Sequence, residues 1–502
     1  MLPVLPVLVP LAAAVLSLAA WGRPRAQRAI GVAGTAGLLA AGLALLARVS
    51  ADGVQVVRLG GWPSPFGIAF VADLLSAILV TLAGVMGLAG AWASVAAVDG
   101  PRQANGHWPA LHVLLAGVAG AFLTGDLFNL YVWFEVFLMA SFVLLALGGT
   151  RPQLAGAIRY VVMNLLSSTL FLVAAGLLYG MAGTLDLAEL SLRLRAHPSP
   201  ALVSAVGMVL LAAWGIKAAI FPVFAWLPPS YAAPPAPVAA LFSGLLTKVG
   251  FYAMLRVFTL VLAPAGAVPR GLILALAALT MVTGVLGAVA QGEIRRILAF
   301  HSVSQMGYLL LGLGLGTPLA LAGAIAFLVH HSLVKSNLFL VSGAVERIAG
   351  TDRLDRLGGL WASRAGLGVV FLVTAFSLAG IPPLTGFWAK LALLRAGVEA
   401  GAWGMVAVAA GVGVLTLFSM TKIWSEAFWK AAPAGGPGGA AAAAAPGEAG
   451  PGLLLPAGAL ALLVVGLGLS AGPALALAER AAAGLADPSA YVRAVLGPGG
   501  AP

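Results

Sequence analysis

The 502-residue sequence contains no cysteine. Disulfides, iron–sulfur clusters and thiolate metal sites are therefore excluded, and redox chemistry linked to this chain has to be carried by another. Charge is scarce too: 9% of residues are Asp, Glu, Lys or Arg, against roughly 25% in soluble globular proteins. A water-soluble enzyme does not have this composition. P-loop, H-E-x-x-H and G-x-S-x-G motifs are missing, and the Gly312, Gly314, Gly316 run lies in an apolar segment with no strand before it, so it is no dinucleotide fingerprint. His330 and His331 have no further ligands at suitable spacing, so neither a metal nor a cofactor is expected. The net charge of +11 is spread over short loops rather than gathered in one polar domain, which argues against nucleic acid.

What is present is apolar. Hydrophobic residues make up 61% of the chain, mean hydropathy is +1.04, and blocks of roughly 20 residues, enough to cross a bilayer, recur from end to end. These Ala/Leu/Val/Gly runs do not alternate as barrel strands do. The fold class expected is an all-α polytopic membrane protein of fourteen segments, starting near residues 2, 29, 66, 108, 127, 157, 200, 236, 269, 298, 319, 366, 402 and 452. The first segment, Leu2 to Trp21, has no basic residue before it and Arg23, Arg25 and Arg28 after it, so it is expected to be retained with its N-terminus outside. Alternate loops place thirteen basic residues on one side, Arg102, Arg151, Arg295, Arg347 and Arg356 among them, and eight on the other, including Arg58, Arg193 and Arg493. The positive-inside rule then puts both termini outside the cytoplasm. Leu185 to Arg195 reads as a surface helix, Ala431 to Gly452 as an Ala/Gly/Pro linker, and the tail after Ala474 as an amphipathic helix.

Of 27 basic residues only six are lysine, and five of those, Lys217, Lys248, Lys335, Lys390 and Lys422, fall within or at the edge of apolar segments. A charge at the bilayer centre costs roughly 2.5–3.5 kcal/mol, so these side chains must face protein or water. An ammonium can give up its proton and a guanidinium cannot, which suits lysine to a proton relay. Lys422, close to a segment end, could equally satisfy a carbonyl. Glu135 lies mid-segment with no other ionisable residue in its span, and Lys217 is the natural counter-charge. Asp73 in the third segment and Asp126 at the start of the fifth are weaker candidates, since either position suits a membrane interface. His301, Ser304, Gln305 and Tyr308 share one helical face, as do His331 and Lys335. His330 adjoins them, and Asn164, Ser167 and Ser168 repeat the spacing in the sixth segment.

Prolines break two of the lysine-bearing segments. Pro222, Pro228 and Pro229 follow Lys217 in the seventh, and Gly380, Pro382 and Pro383 precede Lys390 in the twelfth. Broken helices at matching positions mark inverted repeats, with freed backbone lining a polar cavity. The expected repeats are segments 4–8 and 9–13. The corresponding divisions are 1–106, 107–262, 263–430, a linker at 431–452, and 453–502.

The strings GDLFNLYVWFE ending at Glu135, FPVFAWLPPSYAAPPAPVAALFSGLLTKVG from Phe221 to Gly250, EIRRILAFHSVSQMGY from Glu293 to Tyr308, HHSLVKSNLFLVSG from His330 to Gly343 and GIPPLTGFWAK ending at Lys390 resemble the antiporter-like subunit family. That family comprises the large membrane subunits of Mrp-type cation/proton antiporters, respiratory complex I and membrane-bound hydrogenases. The resemblance covers about residues 60 to 430. WLPPSYAAPP and GLLTKVG are closest to the Mrp branch, since quinone-linked relatives usually carry histidine where Tyr231 stands. The resemblance implies a Glu135–Lys217 ion pair, then Lys248, His331 with Lys335, and Lys390, as a mid-membrane line for protons. Some relatives place glutamate where Lys390 stands. It further implies a non-enzymatic subunit in a prokaryotic cell membrane, working with other membrane subunits to exchange protons for Na+ or K+. The alternatives are a proton-pumping subunit of a redox-driven complex and a purely structural subunit.

Overall fold

The computed structural model describes residues 1–432 and 451–497; most of the linker expected at 431–452 lies outside them. The chain runs α1 (Leu2–Ala19), α2 (Pro24–Asp52), β1 (Gln55–Arg58), β2 (Ala69–Ala72), α3 (Leu74–Ala97), α4 (Gly100–Leu123), α5 (Leu127–Ala146) and α6 (Arg151–Ala182). It continues with α7 (Pro200–Ala218, then Leu227–Ala232), α8 (Ala236–Leu262), α9 (Arg270–Ala290), α10 (Ile294–Leu315) and α11 (Pro318–Ala349). Last come α12 (Ala365–Ala379, then Thr385–Glu399), α13 (Trp403–Trp429) and α14 (Gly452–Leu469). Among the described residues thirteen helices are long and apolar enough to cross a membrane, and the divided α12 makes the fourteenth segment. The protein is a multi-pass membrane protein.

Helix ends follow local chemistry. Asp73, Asp126, Ser199 and Thr317 cap α3, α5, α7 and α11 by accepting from amides of the first turn. The surface helix appears as Leu187–Arg195, capped by Asp186, and the tail as Ala471–Ala486 and Ser489–Leu496. The all-helical expectation needs one addition, a two-stranded antiparallel ribbon pairing Gln55 with Ala72 and Arg58 with Ala69. Four residues per strand, next to long apolar segments, leave too little alternation to read.

Two five-helix units are visible in matching local structure. In α4–α8, Asp126 at the start of α5 bridges Asp186 beyond α6; in α9–α13, Glu293 at the start of α10 bridges Arg353 beyond α11. Five segments separate the partners, an odd number, so the second unit is inverted. Both units contain a helix whose first half ends in a left-handed residue, Ala219 (φ 55°) in α7 and Gly380 (φ 97°) in α12. Glycine takes this conformation freely, whereas in Ala219 it costs roughly 1–2 kcal/mol.

Basic residues sort to the two ends as the alternating loops require. Arg102, Arg295 and Arg347 surround one cavity of about 500 Å³, together with Thr150 at the head of α6. Arg58 and Arg193 line another of about 380 Å³, with Val495. The 32 residues of α6 extend about 48 Å between these ends, at 1.5 Å per residue. The C-terminal helix packs on the Leu187–Arg195 helix and on β1, and the turn at Leu2–Val4 contacts the ribbon, so both ends of the described chain share the Arg193 end. Buried α4, α8, α10 and α11 form the centre, while α2, α6, α9 and α13 expose apolar faces suited to lipid.

Candidate functional site

The centre of the site is where the two units meet. In α8 a wide π turn at Phe242–Leu246 precedes Lys248, whose Nζ donates to the Ser243 carbonyl. Ser243 Oγ lies 2.9 Å from Ser302 Oγ of α10. Ser302 Oγ donates to the Leu298 carbonyl at 3.2 Å, and that carbonyl also accepts from Lys335 Nζ of α11. Lys248 and Lys335 are 1% and 0% exposed, so two ammonium groups from different units are joined through short polar contacts with no access to lipid.

On the α5–α7 side the expected ion pair is not in direct contact. Glu135, half-buried, accepts from Ser168 Oγ, while Lys217 Nζ donates to Asn164 Oδ1 at 2.8 Å and sits 5.0 Å from the Phe137 ring centre. Asn164 and Ser168 are one turn apart on α6, so that helix holds both charges and separates them. An amide oxygen satisfies the ammonium at less desolvation cost than a second buried charge would require. Lys217 lies in the last turn of the first half of α7, where the helix dipole favours a cation. Gly250 of α8 packs on its stem; a Cβ there would stand 3.1 Å from Lys217 Cβ.

On the α12 side Lys390 Nζ reaches back across the break to the carbonyls of Leu378 (2.8 Å) and Ala379 (3.1 Å), and lies 4.9 Å from the Tyr308 ring centre. The break leaves these carbonyls without helical donors, and the lysine supplies one. Tyr308 Oη donates to the Ala409 carbonyl at 2.5 Å. His301 Nε2 meets Ser419 Oγ of α13 at 2.5 Å, and His330 Nδ1 meets Thr385 Oγ1 at 2.9 Å beside the same break. His331, Gln305 and Asn337 are fully buried with side-chain atoms that no protein group satisfies. Groups of this kind are the usual partners of internal water.

Four expected accessory residues fall outside this band. Ser304 faces α9 and donates to the Met281 carbonyl at 2.9 Å. Lys422 caps α9 through the carbonyls of Val289 (3.1 Å) and Gln291 (2.8 Å). Asp126 caps α5. Asp73 forms a bidentate salt bridge with Arg256 of α8, at 2.6 and 2.7 Å, under the Tyr491 ring. Arg256, Ser243, Ser302 and Ser419 are not among the residues expected from sequence. Arg256 lies within the eighth apolar segment, and a charge there is the signal that could reveal it.

Two inverted five-helix units, each with a broken helix and joined by a buried band of lysines, define an antiporter-like membrane subunit. Similarity to known proteins agrees: the family model described as NADH:quinone oxidoreductase/Mrp antiporter, transmembrane, matches residues 124–416, and the chain belongs to this family. It is 42% identical to the D-type subunit of the Na(+)/H(+) antiporter of Alkalihalophilus pseudofirmus over 99% of both chains. Its fold superposes on a chain of the Mrp complex from Dietzia with a TM-score of 0.91, at 36% identity and 99% coverage of each. A chain of respiratory complex I from Thermus thermophilus gives 0.80 at 27% identity, covering 97% of this chain and 100% of that one.

Proposed function

We propose that the chain is the proton-conducting subunit of a multi-subunit antiporter that exchanges protons for Na+ or K+ across a prokaryotic cell membrane. The meeting of Lys248 of one unit and Lys335 of the other beside the Ser243–Ser302 contact carries this reading, each lysine donating to a main-chain carbonyl next to the paired hydroxyls. Lys217, held by Asn164, and Lys390, held at the α12 break, extend the band to either side. Glu135 then acts as the counter-charge that Lys217 meets on leaving Asn164. The 42% identity to an antiporter chain over its whole length, against 27% to the complex I chain, favours the antiporter over the redox-driven alternative. The test is a sodium-induced pH jump in everted vesicles. Together with its partner subunits the chain is expected to give a robust signal, and alone little, since among the described residues no extramembrane domain seals or energises the polar line. Full antiport by the purified single chain would refute the partner requirement.

The Arg102, Arg151 and Arg295 end is proposed to face the cytoplasm, with both termini and Arg193 outside. Cysteine labelling in intact cells should reach single cysteines near Arg193 and spare those near Arg151 and Arg356. Labelling of 151 and 193 from the same side would remove the inverted arrangement.

A further inference from the structure

The cavity of about 500 Å³ at the Arg102 end takes no part in the lysine band, and its lining is unbalanced in charge. Arg102, Arg295 and Arg347 stand there against Asp99 and Glu346, three positive groups to two negative, which leaves one positive charge. Asp99 pairs with Arg102, and Glu346 with Arg295 at 2.5 Å. Arg347, exposed, donates instead to the Ala96 carbonyl at 2.7 Å.

The hydrogen bonds are unbalanced in the same direction. Arg295 is 8% exposed and Gln153 1%, yet Arg295 Nε and Gln153 Nε2 have no partner among the described residues, and neither has Arg102 Nε. All three atoms are N–H donors, and no buried side-chain acceptor of the lining is left over. Turning the Gln153 amide round does not help, because its Oε1 already accepts from Thr150 Oγ1 at 3.0 Å and from Arg102 Nη2 at 3.2 Å. A water molecule satisfies a donor but brings no charge; an anion answers both deficits. The starts of α4, α6, α8 and α10 also abut the cavity, and a helix start carries about half a positive charge. The ends of α3 and α11 oppose two of these, and Arg347 covers the first through Ala96. The remaining wall is apolar, formed by Ala97 and Leu453 where α14 packs on α3.

We propose that this cavity binds the phosphodiester group of an anionic phospholipid, its oxygens on Arg102, Gln153 and Arg295 and its glycerol and chains along Ala97 and Leu453. A phosphodiester carries one negative charge and accepts several N–H bonds at once, which matches both counts, and arginine favours phosphate over a point contact. Basic pockets between transmembrane helices at the membrane surface are suited to lipid headgroups. Arg295 Nη1 also donates to the Pro234 carbonyl at 3.2 Å, in the turn that joins the broken α7 to α8. A lipid held by Arg295 therefore braces that turn of one unit against α10 and α11 of the other. The site goes beyond the antiporter reading and is independent of which ion is exchanged.

The chain has no cysteine, so Ala97→Cys provides one attachment point within it for a bimane fluorophore on the cavity wall, in a complex whose other subunits lack cysteine. The assembled complex, in neutral detergent, is titrated with phosphatidylglycerol bearing a nitroxide on its chain, and quenching reads occupancy at this wall. Half-quenching is expected at a concentration at least fivefold below that for the phosphatidylcholine analogue, whose choline cancels the phosphate charge. Arg102→Gln should raise the midpoint about fivefold or more. Glu346→Gln removes a negative charge and releases Arg295, and should lower it several-fold; a damaged cavity does not bind more tightly, so this variant separates charge from misfolding. Arg353→Gln, lining a separate cavity with Lys422, should change nothing. Equal midpoints for the two lipids, or wild-type midpoints in both Arg102→Gln and Glu346→Gln, overturn the site. Inorganic phosphate, equimolar with the lipid, is expected to leave the quenching in place; full displacement would make the ligand a soluble anion and overturn the lipid assignment.

Discussion

Lys248→Arg is expected to assemble normally and to lose cation-dependent proton transport by about a hundredfold or more, the usual scale for removing an acid–base group. Arginine keeps the charge, the approximate length and the ability to donate to the Ser243 carbonyl. It cannot release its proton, since its pKa of roughly 12.5–13.8 lies far above any working pH. A lysine serving only as a fixed charge would tolerate the change. Lys217→Arg should fail on the same grounds, and Glu135→Gln should fail because glutamine neither takes a proton nor attracts Lys217 when it leaves Asn164. The measurement is pH-jump activity in everted vesicles, normalised to the amount of assembled complex. Near wild-type antiport in both lysine variants would show that protons cross by another route.

Arg256→Met is expected to have the largest effect on stability. Its guanidinium side chain is 3% exposed and binds Asp73 in bidentate fashion, with Ser76 Oγ at 3.2 Å and the Tyr252 and Tyr491 rings around it. Removing one partner of a buried pair leaves the other charged and desolvated, which costs roughly 3–5 kcal/mol. The midpoint of thermal unfolding of the purified complex should fall clearly. Adding Asp73→Asn should recover a substantial part of the loss, because the stranded carboxylate is then gone. An unchanged midpoint in the single variant would mean that the pair contributes little. Its position under Tyr491 also ties the C-terminal helix to α3 and α8, so proteolysis of the tail should accelerate.

The fourteen segments, the two breaks and the intramembrane lysines are all legible in the sequence because each violates a strong rule. Twenty apolar residues in a row, a proline in mid-helix and an ammonium in hydrocarbon are all too costly to occur without a structural answer. Legibility ends where the signal is cheap. Ser243 and Ser302 look like any helical serine; Ser302 does bond the carbonyl one turn back, and only three-dimensional packing sets the two hydroxyls against each other. The Glu135–Lys217 pairing rests on charge alone, whereas Asn164 and Ser168, visible as a polar stripe, take the two partners separately. Ser304 shares the face of His301 by spacing but reaches α9, because the close approach of Gly284 lets the two backbones meet there. Asp73 and Arg256 are each visible as charges in apolar segments, but their pairing is not, since it is made across 183 residues by the packing of α3 on α8.

The hydroxyl contact between the units also has a direction. Either serine can be the donor at 2.9 Å, and a hydroxyl has one hydrogen to give. With Ser302 directed at the Leu298 carbonyl, Ser243 is left to donate across the seam, so the pair is polarised from α8 toward α10. Lys248 and Lys335 both end on main-chain carbonyls beside it, and a carbonyl does not pass a proton on. The serine pair is therefore a clasp between the halves of the molecule, holding the two lysines face to face, and the crossing between them falls to water.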